Sequence, residues 1–141
     1  SNNPSVTLVL ANNYECLSSV MLQKGRIKDA LEYLDKAMEY RRSSQGELAS
    51  SLAANLCQKA DVYNTIDDLE SEQKTLASAL RLLSVDRTLD RTALEYISRR
   101  LSRLMSAVGN TDASQFLTEL SENCSRYPVL DQLPAFLRLP T

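Results

Sequence analysis

The 141-residue chain contains no histidine, and with it go the commonest general base, the commonest metal ligand and any Ser-His or Cys-His nucleophile. No catalytic constellation replaces it, so a non-enzymatic protein with no cofactor and no metal is expected. Three glycines cannot build a phosphate-cradling loop, and with four prolines they are too few for a turn-rich β fold. Cys16, Cys57 and Cys124 are odd in number and widely spaced, which reads as structural thiols in a reducing compartment. No apolar run approaches the roughly 20 residues of a membrane helix, so a soluble, cytoplasmic protein without membrane contact is expected. A formal charge of −2 supplies no field for holding nucleic acid.

What is present suits helices. With 43% apolar and 24% charged residues the composition is that of an ordinary globular domain, and Leu, Ala, Ser, Glu and Arg fill long unbroken segments. Seven helices are expected, over about 5–24, 27–43, 46–65, 67–84, 87–108, 112–126 and 129–138. Lys24-Gly25 stops the first, Asp67 or Asp68 caps the fourth and Asp112 the sixth. The acids Asp67, Asp68, Glu70 and Glu72 read as a helix start favoured by the dipole rather than a cation site.

The helices repeat. The apolar face Val6, Leu10, Tyr14, Leu17, Val20 and Met21 maps, 42 residues on, to Leu48, Leu52, Leu56, Lys59, Val62 and Tyr63. A further 42 gives Asp90, Leu94, Ser98, Leu101, Leu104 and Met105. The partner face of Ile27, Ala30, Leu31, Leu34, Ala37 and Met38 is echoed by Leu69, Leu76, Ala79 and Leu80, with Glu72 and Gln73 breaking the echo. In the third unit Ala113, Phe116, Leu117, Leu120 and Cys124 return displaced by 44, as if the turn 109–112 held two extra residues. A fixed period of this length marks stacked supersecondary units. Short turns make each unit an antiparallel hairpin, and stacking buries the stripe that a lone hairpin leaves open. The units run over about 5–45, 46–86 and 87–127 of a single domain, and 128–141, with Leu130, Leu133, Phe136 and Leu137, forms a short C-terminal capping helix. A chain opening on Ser1 rather than methionine reads as a fragment of a longer protein.

These residues resemble the tetratricopeptide repeat (TPR) family. Gly25, Ala30, Leu34 and Ala37 match its hairpin pattern in the first unit, Ala60, Tyr63, Leu76 and Ala79 in the second, with Asp67 at the glycine position, and Leu101, Met105 and Gly109 in the third. The 42-residue period is similar to the long-helix variety found in kinesin light chains. The resemblance implies an all-α, right-handed superhelical stack of three hairpins, a TPR-like α-solenoid. It also implies an adaptor function, with a peptide or helix of a partner protein bound in a concave groove lined by the first helix of each hairpin. The matching groove positions are Asn12, Glu15, Ser19 and Gln23, then Cys57 and Asp61, with Ala54 and Thr65 beside them, then Tyr96, Arg99 and Arg103, with Ala107. Glu15 and Ser19 replace the basic and amide residues of the family's carboxylate clamp, so chaperone tails are not the expected ligand.

Charge is uneven along this face. Residues 46–90 carry eight acids against four bases, whereas residues 91–141 carry six arginines against five acids. Arg99, Arg100 and Arg103 form one charge cluster, and a partner with an acidic segment near Arg99 and Arg103 is therefore expected, unless the cluster is a solvated face or is paired with Glu95 one helical turn away. Tyr33, Tyr40, Tyr63 and Tyr96 are candidate anchors, although Tyr63, at a consensus inner-helix position, reads rather as core. The rival reading is a structural module that stacks on further repeats or self-associates through its end helices.

Overall fold

The structure, a computed structural model, describes residues 4–43, 49–84 and 90–122. These form six helices and, among the described residues, no strand: α1 (Pro4–Gln23), α2 (Ile27–Ser43), α3 (Ala49–Thr65), α4 (Leu69–Ser84), α5 (Arg91–Ala107) and α6 (Thr111–Glu122). Each helix packs on the next, and α3 also touches α5. The result is an all-helical, repeat-like bundle. The expected seventh helix at 129–138, with its apolar residues, lies outside the described residues. No described helix is long and apolar enough to cross a membrane.

The turns set the period. Gly25, Asp67 and Gly109, spaced by 42, all take a left-handed backbone, with φ of 75°, 58° and 82°. Each closes its helix with the same pair of bonds: Gly25 N to Leu22 O and Arg26 N to Met21 O, then Asp67 N to Asn64 O and Asp68 N to Tyr63 O, then Gly109 N to Ser106 O and Asn110 N to Met105 O. This is a Schellman closure, which satisfies carbonyls that the helix end would otherwise leave unpaired. The residue after the turn then caps the next helix. Asp68 Oδ1 accepts from Ser71 N and Asn110 Oδ1 from Ala113 N, while α5 is capped by Asp90, which accepts from Ala93 N. Asn110 therefore performs the capping expected of Asp112, whereas Asp68 caps α4 as expected, and α4 begins at Leu69 because Asp67 is taken up by the turn.

The third turn holds no extra residues. α6 starts 42 after α4, and its buried set Ala113, Leu117, Leu120 and Ser121 answers Glu72, Leu76, Ala79 and Leu80 at a displacement of 41. The expected displacement of 44 came from matching apolar letters, whereas Glu72 occupies a core slot. The buried set is thus shifted by one residue against a backbone register that stays at 42, as a repeated contact shows: Ser18 Oγ donates to Ala30 O at 2.8 Å, and Ser102 Oγ donates to Ser114 O at 2.9 Å, both partners 84 residues on.

The core is divided. Its main cluster draws on α3 to α6, centred on Leu76, Leu80, Leu83, Leu94, Leu101 and Leu117, all fully buried. A smaller cluster joins Ala30 and Leu34 to Val62, with Met21, Leu22, Ile27 and Leu31 around it. The first hairpin adds an aromatic stack, with Tyr14 lying 5.8 Å from Tyr33 and 5.6 Å from Tyr40 between ring centres. Tyr33 and Tyr40 are thus engaged within the hairpin. The expectation that Val6, Leu17 and Val20 are core is corrected: all three are exposed, because in the described residues nothing packs on that side of α1.

Candidate functional site

An open groove of about 690 Å³ runs between the second and third hairpins. One wall is a face of α5 carrying Thr92, Glu95, Tyr96, Arg99, Arg103 and Leu104, residues that helical spacing of three and four places side by side. The other wall is the end of α3, with Asp61 and Asn64. Glu72, in the first turn of α4, and Arg100 lie at the junction of the walls.

That junction is a buried ionic centre. Glu72 occupies the slot that Ala30 fills in the first hairpin, and its side chain is 2% exposed. Arg100 answers it from α5, with Nη2 donating to Glu72 Oε2 at 3.0 Å and Nη1 donating to Asp61 Oδ1 at 2.7 Å. Asn64 Nδ2 donates to the second Glu72 oxygen at 3.2 Å, and Arg100 Nη1 also reaches the Tyr96 hydroxyl at 3.4 Å. Burial opposes the Arg100 charge, but the bonds to Glu72 and then Asp61 outweigh it and push its pKa upward. Arg100 is accordingly a fixed cation that ties α5 to both helices of the preceding hairpin.

The rest of the wall is exposed. Arg99 pairs with Glu95 along the helix, as the one-turn spacing anticipates, and Tyr96 stands 54% exposed at the rim. Arg103 is the one groove cation without an ion pair among the described residues. The groove therefore runs from Asp61 on α3, paired with Arg100, to Arg103, which has no ion-pair partner among the described residues.

Four of the residues singled out in the sequence, Asp61, Tyr96, Arg99 and Arg103, are brought together here. The others lie elsewhere. Asn12 and Glu15 belong to a separate polar network in which Arg41 Nη2 donates to Asn12 Oδ1 at 2.9 Å and to Glu15 Oε2 at 2.8 Å. Asn55, fully buried on α3, donates to the same Glu15 oxygen and to Gln58 Oε1. With the Lys59–Asp35 bridge of 2.8 Å, this network joins the first hairpin to the second by polar contacts. Ser19 donates to the Glu15 carbonyl of its own helix, and Gln23 is exposed at the end of α1. Cys57 packs against the main core. Burial, tempered by Arg100 and reinforced by Asp61, pushes its thiol up to about 11, so it is protonated at neutral pH and a poor nucleophile.

Sequence reasoning passed over Glu72 and Arg41 and left Arg100 outside the expected groove set. The signal for Glu72 was available as the one acid interrupting a repeated apolar face. Among the described residues no three Cys, Asp or Glu side chains are grouped to hold a metal ion. The fold and groove together define a class, an all-α array of helical hairpins with a polar cleft. Comparison with protein-family models, with characterised proteins and with solved structures gives no match.

Proposed function

We infer that the chain is a non-catalytic protein-interaction module of TPR-like superhelical form, which takes an extended peptide or helix of a partner protein in the groove between its second and third hairpins. The observation that carries this is an open cleft lined both by the exposed Tyr96 ring and by Arg103, which has no ion-pair partner among the described residues. Tyr96 offers a large apolar face with a polar tip, and Arg103 offers a planar donor fork suited to a carboxylate. The ligand is accordingly a segment with an acidic residue close to an apolar one. Arg100 contributes by holding the walls in place, since its donors are committed to Glu72 and Asp61.

A random-peptide display selection tests the reading. Peptides with an acid next to an apolar side chain should be enriched on the wild-type chain and lose at least about tenfold in affinity on Arg103→Glu, the loss of one charge-assisted contact. Enrichment indifferent to Arg103 and to Tyr96→Ala would refute it.

A second reading, a structural module that assembles through its end helices, is favoured by a different observation. The outward side of α1 exposes valine and leucine side chains.

A further inference from the structure

We propose that α1 pairs with α1 of a second copy of this chain, antiparallel, about a two-fold axis at Asn13. The inference rests on the assembly reading above and is independent of the groove. Val6, Val9, Leu17 and Val20 are 54%, 55%, 40% and 42% exposed, and with Asn13, also exposed, they form one stripe along the helix.

The internal repeat shows what such a stripe is for. Asn13 corresponds to Asn55 and Ile97, both fully buried, and Leu17 to Lys59, which bonds Asp35 of α2, and to the fully buried Leu101. Val20 corresponds to the buried Val62 and to Leu104, partly buried against the main core. In the second and third hairpins this side of the first helix is therefore covered by the helix before it. On α1 the same apolar side faces water.

Among the described residues, the exposed side of α6 does not supply the cover. The position that meets the next hairpin is Asp35 in α2, bonded to Lys59, and Ala77 in α4, buried in the main core. Its equivalent in α6 is Glu119, exposed and flanked on the same side by the exposed Gln115 and Glu122. Among the described residues that face of α6 is polar. Head-to-tail stacking would set those acids against valine and leucine, with no basic partner on the α1 stripe.

The stripe is instead complementary to itself. Its spacing from Val6 to Val20 is 3, 4, 4 and 3 residues, which is symmetric about Asn13. In an antiparallel pair Val6 meets the partner's Val20, Val9 meets the partner's Leu17, and the two Asn13 amides meet on the axis, where each can donate to the other. Such a contact is isologous, so it closes at two copies. A polar residue at the centre of an apolar seam fixes register at some cost in affinity. One helix pair lies at the small end of specific interfaces, below about 1,200 Å², and so the dimer is weak and concentration-dependent.

Sedimentation equilibrium of the chain over a wide concentration range, with circular dichroism verifying equal helicity, tests this directly. The wild-type mass should climb from one copy towards two, and Val9→Glu/Leu17→Glu should stay monomeric. Independently, in a Cys16→Ser/Cys124→Ser background, Asn13→Cys should cross-link to itself under copper-phenanthroline oxidation at least about tenfold faster than Glu39→Cys on α2, because the paired thiols share a high effective concentration. A chain that remains monomeric throughout overturns both the dimer and the assembly reading. Equal cross-linking at 13 and 39, or association abolished by Glu119→Lys/Glu122→Lys and untouched by the α1 changes, overturns the two-fold pairing while leaving assembly as such.

Discussion

Replacing Arg100 by methionine keeps an unbranched apolar stem and removes the charged head, which strands Glu72 in a site only 2% exposed with Asn64 as its remaining partner among the described residues. At 3.0 Å the direct attraction in the pair is roughly 5 kcal/mol for an effective dielectric of 20, much of it offset by desolvation of the two ions. The pair as a unit is therefore worth little, whereas a broken pair is expensive. Arg100→Met should cost about 3–5 kcal/mol, which at a urea slope of about 2 kcal/mol/M lowers the midpoint by about 2 M. Glu72→Ala should cost only about 1 kcal/mol, because Arg100 keeps Asp61 at 2.7 Å and its side chain is 15% exposed. The double variant Glu72→Ala/Arg100→Met should be more stable than Arg100→Met alone. Urea unfolding followed by circular dichroism reads all three. A double variant that loses the sum of the two single losses, or an Arg100→Met that loses under about 1 kcal/mol, would show that the Glu72 carboxylate is not held in place by the guanidinium.

The turns give a paired test. Asp67→Gly should stabilise by about 1 kcal/mol, and Gly25→Ala should destabilise by a similar amount, read as shifts in the thermal midpoint, since a side chain at φ of 58° or 75° carries that backbone penalty. The space beside Gly25 is open, with nothing within 4 Å of an added Cβ, so the backbone term alone is tested. Cys57 supplies a pH dependence. The unfolded chain releases this proton near the ordinary 9.0 and the folded chain near 11, so folding stability should fall as pH climbs between those values. Iodoacetamide at pH 8 in a Cys124→Ser background should modify the exposed Cys16 and spare Cys57.

The all-α class, the 42-residue period and the left-handed turn residues are legible in the amino-acid sequence, because each is a local property. Ile27–Ser43 matches its expected bounds at both ends, and Gly25 and Asp67 fall where a helix must stop. What depends on neighbours is not legible. Apolar spacing says that Val6, Leu17 and Val20 share a face, but not whether another helix covers it. Glu15 holds an inward groove position by pattern, yet Arg41, 26 residues away, draws it into a packing network. Arg99 and Arg100 look equivalent as letters. One residue of helical rotation separates a rim arginine paired with its own helix from one that crosses to two others.

Tandem repeats are often pictured as interchangeable beads, and the ionic centre denies this chain that freedom. Arg100 corresponds to Gln58 in the second unit and Cys16 in the first. Duplicating the middle hairpin would set Gln58 over Glu72, and deleting the third would leave the acid facing water or a stranger. The order of the second and third hairpins is thus written into the chain as a lock with a single matching key, and duplication or shuffling at that joint carries a folding penalty that the joint between the first and second hairpins does not impose in the same form.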